Sequence, residues 1–474
     1  MILLAAAVMS GAALLFAQVQ AAEPDQAALP LACGNGQELV SLELAGLLSQ
    51  ALGSDPSIAI AQQDVASAKA DVLAAQGAFL PQGVASYQNQ HYVPNNEFSP
   101  VIVVGNTVLG GSQTNSAYGS LALSLNLYNN GRDVATLKGA KAGERAAVSG
   151  LDSQVDDTFS KVLQAYADLY EAQVVARQHA TAVEVLRTIQ SRAEERYVGG
   201  HGSVIAIGQA RDATLDAEQA LNQSCRDAAD KASALADAAG LRLSLRQRLQ
   251  AVSALPAPGL DEMDRQDLQV ILDSDTGIVA RRQKVEAARD KLKAAERAYG
   301  PTVTVSVRKD WLGQSADDQW TANRQIQPYD YQIGVSFQQQ LFPFATERAG
   351  VDRAQVEVRH AQAELDQARL DAEKKLRAAL SARDEAEASW RSARNSLEEA
   401  QRILMLTESL YSAGRTDLDS VQHATLDRDK AQATVVTLSS RRTSAAWAAL
   451  RALEPAQFTG TVLRQFGLSL KPVD

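Results

Sequence analysis

Hydrophobic and polar residues follow two different periods along this chain, and the two periods alternate twice. Long stretches place apolar or small residues at steps of three and four, which predicts helices. Between them lie shorter stretches in which every second residue is apolar, which predicts strands. The clearest helical seam consists of Val351, Ala354, Val358, Ala361, Leu365, Ala368 and Ala372.

No proline interrupts the two longest helical stretches, residues 132–196 and 345–411. Because proline is the strongest helix breaker, we predict that each stretch is one continuous helix. At 1.5 Å per residue each helix would be about 100 Å long. The small residues in the seam allow such rods to approach one another closely.

Each predicted rod ends at the same pattern, Tyr-x-x-Gly. The first copy runs from Tyr197 to Gly200 and the second from Tyr411 to Gly414. Glycine adopts the left-handed backbone that commonly ends a helix. We therefore expect both rods to break here and to be followed by a second helix.

The chain contains an internal duplication. Residues 54–86 align with 274–306 without a gap at an offset of 220, and eleven of the 33 positions are identical. Further along, the offset becomes 214 and holds for about 90 residues. We predict two equivalent halves, residues 23–255 and 256–455, followed by a C-terminal tail over 456–474. Each half contains a helix, a β-hairpin and long helices.

The alternating stretches lie at residues 83–88, 120–127, 302–308 and 331–341 and form two hairpins. Strands of about 10 residues match the span of an outer-membrane strand. Their polar face carries Gln, Ser, Thr and Asn, as a water-filled lumen would. A soluble hairpin packed on a helix is the alternative.

The predicted hairpin tips, residues 89–117 and 310–329, would then lie outside the cell. Four strands cannot close a barrel, and open sheet edges do not occur in lipid. The barrel must therefore be shared, with eight strands from two chains or twelve from three. Aromatic residues near the strand ends favour a lipid interface. They are Trp311, Trp320, Tyr329 and Tyr331.

Composition and the N-terminal segment limit the class of protein further. The net charge of −10 disfavours nucleic acid and anionic membrane surfaces as partners. Residues 1–22 are apolar and end in small residues, which predicts a secretory signal peptide, although no Lys or Arg precedes the apolar run. No later stretch is long enough for a transmembrane helix.

Cys33 and Cys225 are the only cysteines. An oxidising compartment would tolerate a disulfide between them, but the sequence does not give their distance. Lipidation of Cys33 is a second alternative. The expectation from the sequence is two free thiols.

No motif indicates an enzyme, a metal site or a cofactor. His201 lies in a glycine-rich segment similar to a phosphate-binding loop, but Ile205 stands where that loop needs glycine, and a helix precedes it. The five histidines have no metal-ligand spacing.

Several motifs resemble the TolC-like outer-membrane factors over residues 40–455. They are Phe79-Leu80-Pro81, the segment Leu127-Tyr128-Asn129-Asn130-Gly131-Arg132, Leu341-Phe342-Pro343 and the two Tyr-x-x-Gly breaks. The resemblance implies a mixed α and β membrane protein. Three chains share a twelve-stranded outer-membrane barrel, which continues as an α-helical barrel through the periplasm. It also implies docking to a periplasmic adaptor and an inner-membrane transporter.

Length and the N-terminal segment look in particular like members that export an RTX adenylate cyclase-haemolysin toxin by type I secretion with an ABC exporter. Small-molecule efflux is the alternative cargo class. A soluble periplasmic coiled-coil adaptor is a third reading, but such a protein does not need two lipid-facing hairpins.

The resemblance also implies a closed periplasmic end held by a tyrosine, an arginine and aspartates after the second break. Here the candidates are Tyr411, Arg415, Asp417 and Asp419. The arginine falls one position early, and Ala206 stands where the first half of the family has an aspartate. The competing interpretation is a solvated helix start, where acidic residues favour the helix dipole.

Overall fold

The structure is a computed structural model that describes most of the chain. The signal-peptide prediction for residues 1–22 lies outside the described part. The described residues are 33, 38–91, 102–104, 107–109, 115–244, 247–258, 268–315, 318–341 and 345–468.

Long helices dominate the fold, and none of the described helices is both long and apolar enough to cross a lipid bilayer. In chain order the elements are β1 (Glu38–Ser41), α1 (Leu44–Ser54), α2 (Pro56–Gly77), β2 (Gln82–His91), β3 (Ile102–Val104), β4 (Thr107–Leu109), β5 (Asn115–Asn129), α3 (Arg132–Val198), α4 (Val204–Ala238), β6 (Gln247–Gln250), α5 (Leu268–Ser274), α6 (Thr276–Arg297), β7 (Thr302–Ser315), α7 (Gln319–Arg324), β8 (Gln327–Gln338), α8 (Ala345–Ser412), α9 (Leu418–Leu453) and α10 (Pro455–Phe466).

The element bounds repeat at the offsets found in the sequence. Helices α2 and α6 have 22 residues each, and Asp55 and Asp275 cap their N-termini through side-chain hydrogen bonds. Helices α3 and α8 have 67 and 68 residues and end at equivalent positions. The internal duplication is therefore confirmed in the fold, and both rods are about 100 Å long as predicted.

Each rod packs lengthwise against neighbouring helices. Helix α3 contacts α2, α4, α6 and α9, and helix α8 contacts α6 and α9. The predicted seam of α8 packs on α6, with Val358 and Leu365 both 9% exposed. Their buried partners on α6 are Ile278, Val285 and Ala288.

Strands β2, β5, β7 and β8 form one antiparallel sheet in that order. This order confirms the two predicted hairpins, β2–β5 and β7–β8. The last strand ends at Gln338, so the prediction that it reaches residue 341 was wrong.

The bounds predicted for both tip loops were too wide, because the strands extend into them. Residues 89–117 contain the end of β2, the small pair β3–β4 and the start of β5, while residues 310–329 contain the end of β7, the helix α7 and the start of β8. Helix α7 lies against the sheet, where the Gln319 side-chain amide donates to Asn89 Oδ1 at 3.0 Å and to the Ser116 carbonyl at 3.1 Å. These contacts support strand pairing beyond the point where apolar alternation stops.

The largest hydrophobic core surrounds the middle of α3. Phe159 and Tyr166 are almost fully buried against residues of α1, α4, β6, α9 and α10. Phe458 of α10 is 1% exposed and meets the Trp447 ring edge-on at 6.2 Å between centroids. Residues 456–466 of the expected C-terminal tail therefore form a helix packed into this core.

Cys33 and Cys225 are joined by a disulfide, so the expectation of two free thiols was wrong. The two residues are 192 positions apart in the sequence, and their Cα atoms lie 5.2 Å apart. Cys33 packs against residues of α3 and α4, and this packing brings the two cysteines together, which no local pattern reveals.

Candidate channel wall and periplasmic tip

The four-stranded sheet has one apolar and one polar face. Strand pairing places Leu123, Val307 and Ile333 in one row across neighbouring strands. On the opposite face the Ser86 and Ser120 hydroxyls lie 2.7 Å apart, and Thr304 donates to Asn126 Oδ1 at 2.7 Å. One face therefore suits lipid and the other suits water.

A charged cluster lies on the polar face of the sheet toward α7. Tyr118 donates to Asp310 Oδ1 at 2.7 Å, and Arg308 Nε donates to the same oxygen at 2.7 Å. Arg308 also contacts the Tyr118 hydroxyl. Sequence reasoning missed this cluster because it ended the third strand at residue 308. The available signal was the continued alternation of Arg308 and Asp310.

Among the described strands, β2 and β8 are the edge strands of the four-stranded sheet, and each has a paired neighbour on one side only. Their outer edges carry backbone donors and acceptors that lipid cannot satisfy. In a bilayer these edges need strands of neighbouring chains.

The two helix breaks have the same backbone hydrogen bonds. Gly200 and Gly414 have φ values of +77° and +69°, a left-handed conformation that favours glycine. Each glycine N–H donates to the carbonyl of its tyrosine, at 3.0 Å to Tyr197 and at 2.9 Å to Tyr411. The next N–H donates five residues back, from His201 in the first half and from Arg415 in the second, each at 2.9 Å. This pattern is the Schellman motif.

The acidic candidates after the second break have two different local roles. Asp417 caps α9 and accepts from the Ser420 N–H at 2.9 Å, and the hydrogen bonds from Ser420 lower the pKa of Asp417. Ser203 is the equivalent cap in the first half. Asp419 Oδ2 accepts from Arg196 Nη1 at 2.9 Å.

Arg415 is exposed and, within the described part of the protomer, has no side-chain partner, whereas Tyr411 is half-exposed. The structure therefore pairs Asp419 with Arg196 of the first half and not with Arg415. The second carboxylate oxygen of Asp419 is buried and has no hydrogen-bond partner among the described residues.

Sequence reasoning missed Arg196. At the offset of 214, its second-half counterpart is Leu410, and the first-half counterpart of Asp419 is Ile205. The two charges thus occupy different positions of the repeat and meet only where the halves pack together. A search for charges present in one half and absent from the other would have found both.

Across the described residues, no group of three or more His, Cys, Asp or Glu side chains is placed to bind a metal ion.

Solved outer-membrane proteins share this fold at low sequence identity. CmeC of Campylobacter jejuni superposes with a TM-score of 0.71 at 17% identity, covering 90% of each chain. CusC superposes with a TM-score of 0.70 at 19% identity, covering 91% of this chain and 96% of its own. VceC of Vibrio cholerae superposes with a TM-score of 0.68 at 18% identity, covering 87% of this chain and 96% of its own. No curated protein sequence matches the chain significantly.

The family profile agrees with the repeat. The profile described as outer membrane efflux protein matches residues 47–241 and 268–453, which is one match in each half. The fold is that of trimeric TolC-like channels, in which three chains of four strands complete a barrel above a helical tunnel. Such channels reside in the outer membrane, extend into the periplasm and are not enzymes. They pair with a periplasmic adaptor and an inner-membrane transporter. This chain belongs to the outer membrane efflux protein family.

Proposed function

We propose that this channel is the exit duct of a type I secretion system and that its cargo is an RTX toxin of the adenylate cyclase-haemolysin type. An ABC exporter would deliver the toxin through a periplasmic adaptor. The observation that supports a duct is the polar face of the sheet, which carries hydroxyl and amide side chains over most of its length. A wall of this kind offers hydrogen bonds to a passing chain without binding any one group tightly.

The choice of a toxin rests on the resemblance of length and N-terminal segment to toxin-exporting members. Small-molecule efflux is the second candidate, because the matching family is described by efflux. The two candidates require different transporters behind the same duct.

A complementation experiment tests the choice. The chain is produced in a Gram-negative strain that lacks its own TolC-type channel, with either an RTX exporter and adaptor or a drug pump and adaptor. We expect toxin in the medium to rise at least tenfold over the empty vector, with drug resistance changed less than twofold. Restored drug resistance without toxin secretion would overturn the proposal, provided that outer-membrane levels are equal.

The topology of the chain gives a second prediction. Trp320 of α7 is 71% exposed, and the only two native cysteines are joined to each other. Trp320→Cys should react with a membrane-impermeant maleimide on intact cells. Ser412→Cys at the end of α8 is the matched control and should react only after outer-membrane permeabilisation. The reverse labelling pattern would mean that the topology is inverted.

We infer that the residues after the second break close the periplasmic end. The Arg196–Asp419 pair ties the end of α3 to the start of α9, and so ties the two halves of one protomer. The exposed guanidinium of Arg415, which has no side-chain partner within the described part of the protomer, offers a hydrogen-bond donor to a neighbouring subunit. Closure would then combine one contact within each protomer and one contact between protomers.

A further inference from the structure

The disulfide fastens the N-terminal region to the first-half helix pair α3–α4. Cys33 is 3% exposed and packs among small residues of both helices, including Ala176 and Ala228. Strand β1 follows shortly after Cys33 and pairs in parallel with β6. We call Cys33 together with β1, Glu38–Ser41, the N-terminal strap.

Arg248 of β6 supports the crosslink from the side. It is 6% exposed, and its guanidinium donates to the Cys33 carbonyl at 3.3 Å and to the Cys225 carbonyl at 2.9 Å. A guanidinium buried this deeply needs acceptors that stay in place. The two carbonyls are held together by the disulfide, so the crosslink and the buried cation stabilise one another.

In the second half, the equivalent groove between α8 and α9 is filled by side chains instead of a strap. There the centroid of the Trp390 ring lies 4.1 Å from the guanidinium carbon of Arg442 and 5.9 Å from the guanidinium carbon of Arg394. This arrangement favours cation–π attraction. Arg442 also pairs with Glu387 at 3.6 Å. At the offset of 214, the first-half counterparts of Trp390, Arg394 and Arg442 are Ala176, Ala180 and Ala228.

The two halves therefore differ at three positions that face the groove. Where the second half has one indole and two guanidinium groups, the first half has three methyl groups and a groove occupied by Cys33. Cys225 itself corresponds to Ser439. The first-half groove lacks the side chains that would fill it, and Cys33, at the start of the strap, occupies the space.

We propose that Cys33 and Cys225 form a constitutive oxidative crosslink that seats the N-terminal strap in the α3–α4 groove, where it substitutes for the Trp390–Arg442 filling of the second half. Formation removes two protons and two electrons from the two thiols. The oxidant is the disulfide of a periplasmic thiol–disulfide oxidoreductase, which is reduced to its dithiol in the exchange. Because the Cys33 sulfur is used in this bond, Cys33 carries no lipid.

The first test uses the trimer purified in detergent without reductant. Peptide mapping by mass spectrometry should recover Cys33 and Cys225 in one linked peptide. In Cys225→Ser, which installs the second-half residue, a Glu-specific protease should cleave at Glu38 or Glu43 at least tenfold faster than in the native protein. Ser439→Cys is the matched control and should leave the cleavage rate unchanged. Alkylated thiols, a lipid on Cys33 or an unchanged cleavage rate would each overturn the proposal.

A second test addresses the groove directly. Ala176→Trp copies the second half into the first, so the indole should occupy the space of the strap and leave both thiols free. Trimer retention on gel filtration separates this effect from misfolding. If that variant does not assemble, reduction of the native trimer replaces it and should raise cleavage by the same factor. A fully formed disulfide in assembled Ala176→Trp, or no effect of reduction, would contradict the assignment of the groove.

Discussion

Single-channel conductance of the trimer in planar bilayers should rise several-fold when Arg415→Ser is combined with Asp417→Ala and Asp419→Ala. An exposed ion pair stabilises a structure by only about 0.2–1 kcal/mol. A trimer contains three copies of each contact, and all of them bias one equilibrium between closed and open tips. A total of about 3 kcal/mol would change the ratio of open to closed channels by about a hundredfold.

The three residues have different contacts at the tip, so their single substitutions should have different effects on the conductance. Asp419 is bonded to Arg196, so Asp419→Asn and Arg196→Gln should give similar increases in conductance, and the double variant should add little to either. Asp417 serves as a helix cap, so Asp417→Ser should leave the conductance near the native value, because serine is the cap at the equivalent Ser203.

Crosslinking of the variants in detergent should still give the trimer, which shows that conductance changes report opening and not disassembly. Unchanged conductance in Arg196→Gln, Asp419→Asn and the triple variant would mean that the Arg196–Asp419 pair does not bias opening and that the residues after the second break are only a solvated helix start.

Features that depend on neighbouring residues in the chain could be predicted from the sequence. The rods follow from the three-and-four spacing and from the lack of proline, and their predicted ends lie within two residues of Val198 and Ser412. The breaks follow from the left-handed backbone that glycine permits at Gly200 and Gly414. The two hairpins follow from the alternating stretches and their repetition, whereas the pairing of β5 with β7 between the hairpins was not predicted.

Features that depend on distant residues could not be predicted in this way. Strand β7 continues to Ser315 because its backbone pairs with β5, although Lys309 and Asp310 hide the apolar alternation. The Arg196–Asp419 contact joins residues 223 positions apart, and the disulfide joins residues 192 positions apart. Each needs the packing of whole helices before its two side chains can meet.

One buried carboxylate should control how the stability of the helical domain depends on pH. Asp156 of α3 is 5% exposed and lies where α6 and α10 meet α3. It accepts hydrogen bonds from the Thr459 hydroxyl and, at 3.3 Å, from the Thr276 hydroxyl. Burial raises the pKa of Asp156 to about 6, while the Thr459 hydrogen bond and the charge of Arg451 oppose this rise.

The sign of the effect follows from the two protonation states. Between the unfolded pKa of 3.8 and the folded pKa of about 6, the folded protein binds a proton that the unfolded chain releases. The contribution of Asp156 to stability therefore improves as the pH falls from 7 toward 4 and is constant below that range. At neutral pH its ionised form destabilises the fold by at most about 3 kcal/mol.

Asp156→Asn should therefore raise the thermal midpoint at pH 7.5 by several degrees and flatten its dependence on pH between 4 and 6. The amide oxygen keeps the acceptor for the Thr459 hydroxyl, and the amide N–H donates to the Thr276 hydroxyl, which reverses the direction of that hydrogen bond. Both contacts then survive without a buried charge. Circular dichroism of the detergent-solubilised trimer at a series of pH values measures both effects. Asp71→Asn, which neutralises an exposed carboxylate on α2, should leave the pH profile native. A lower midpoint for Asp156→Asn at pH 7.5 would show that the ionised carboxylate stabilises this junction of three helices.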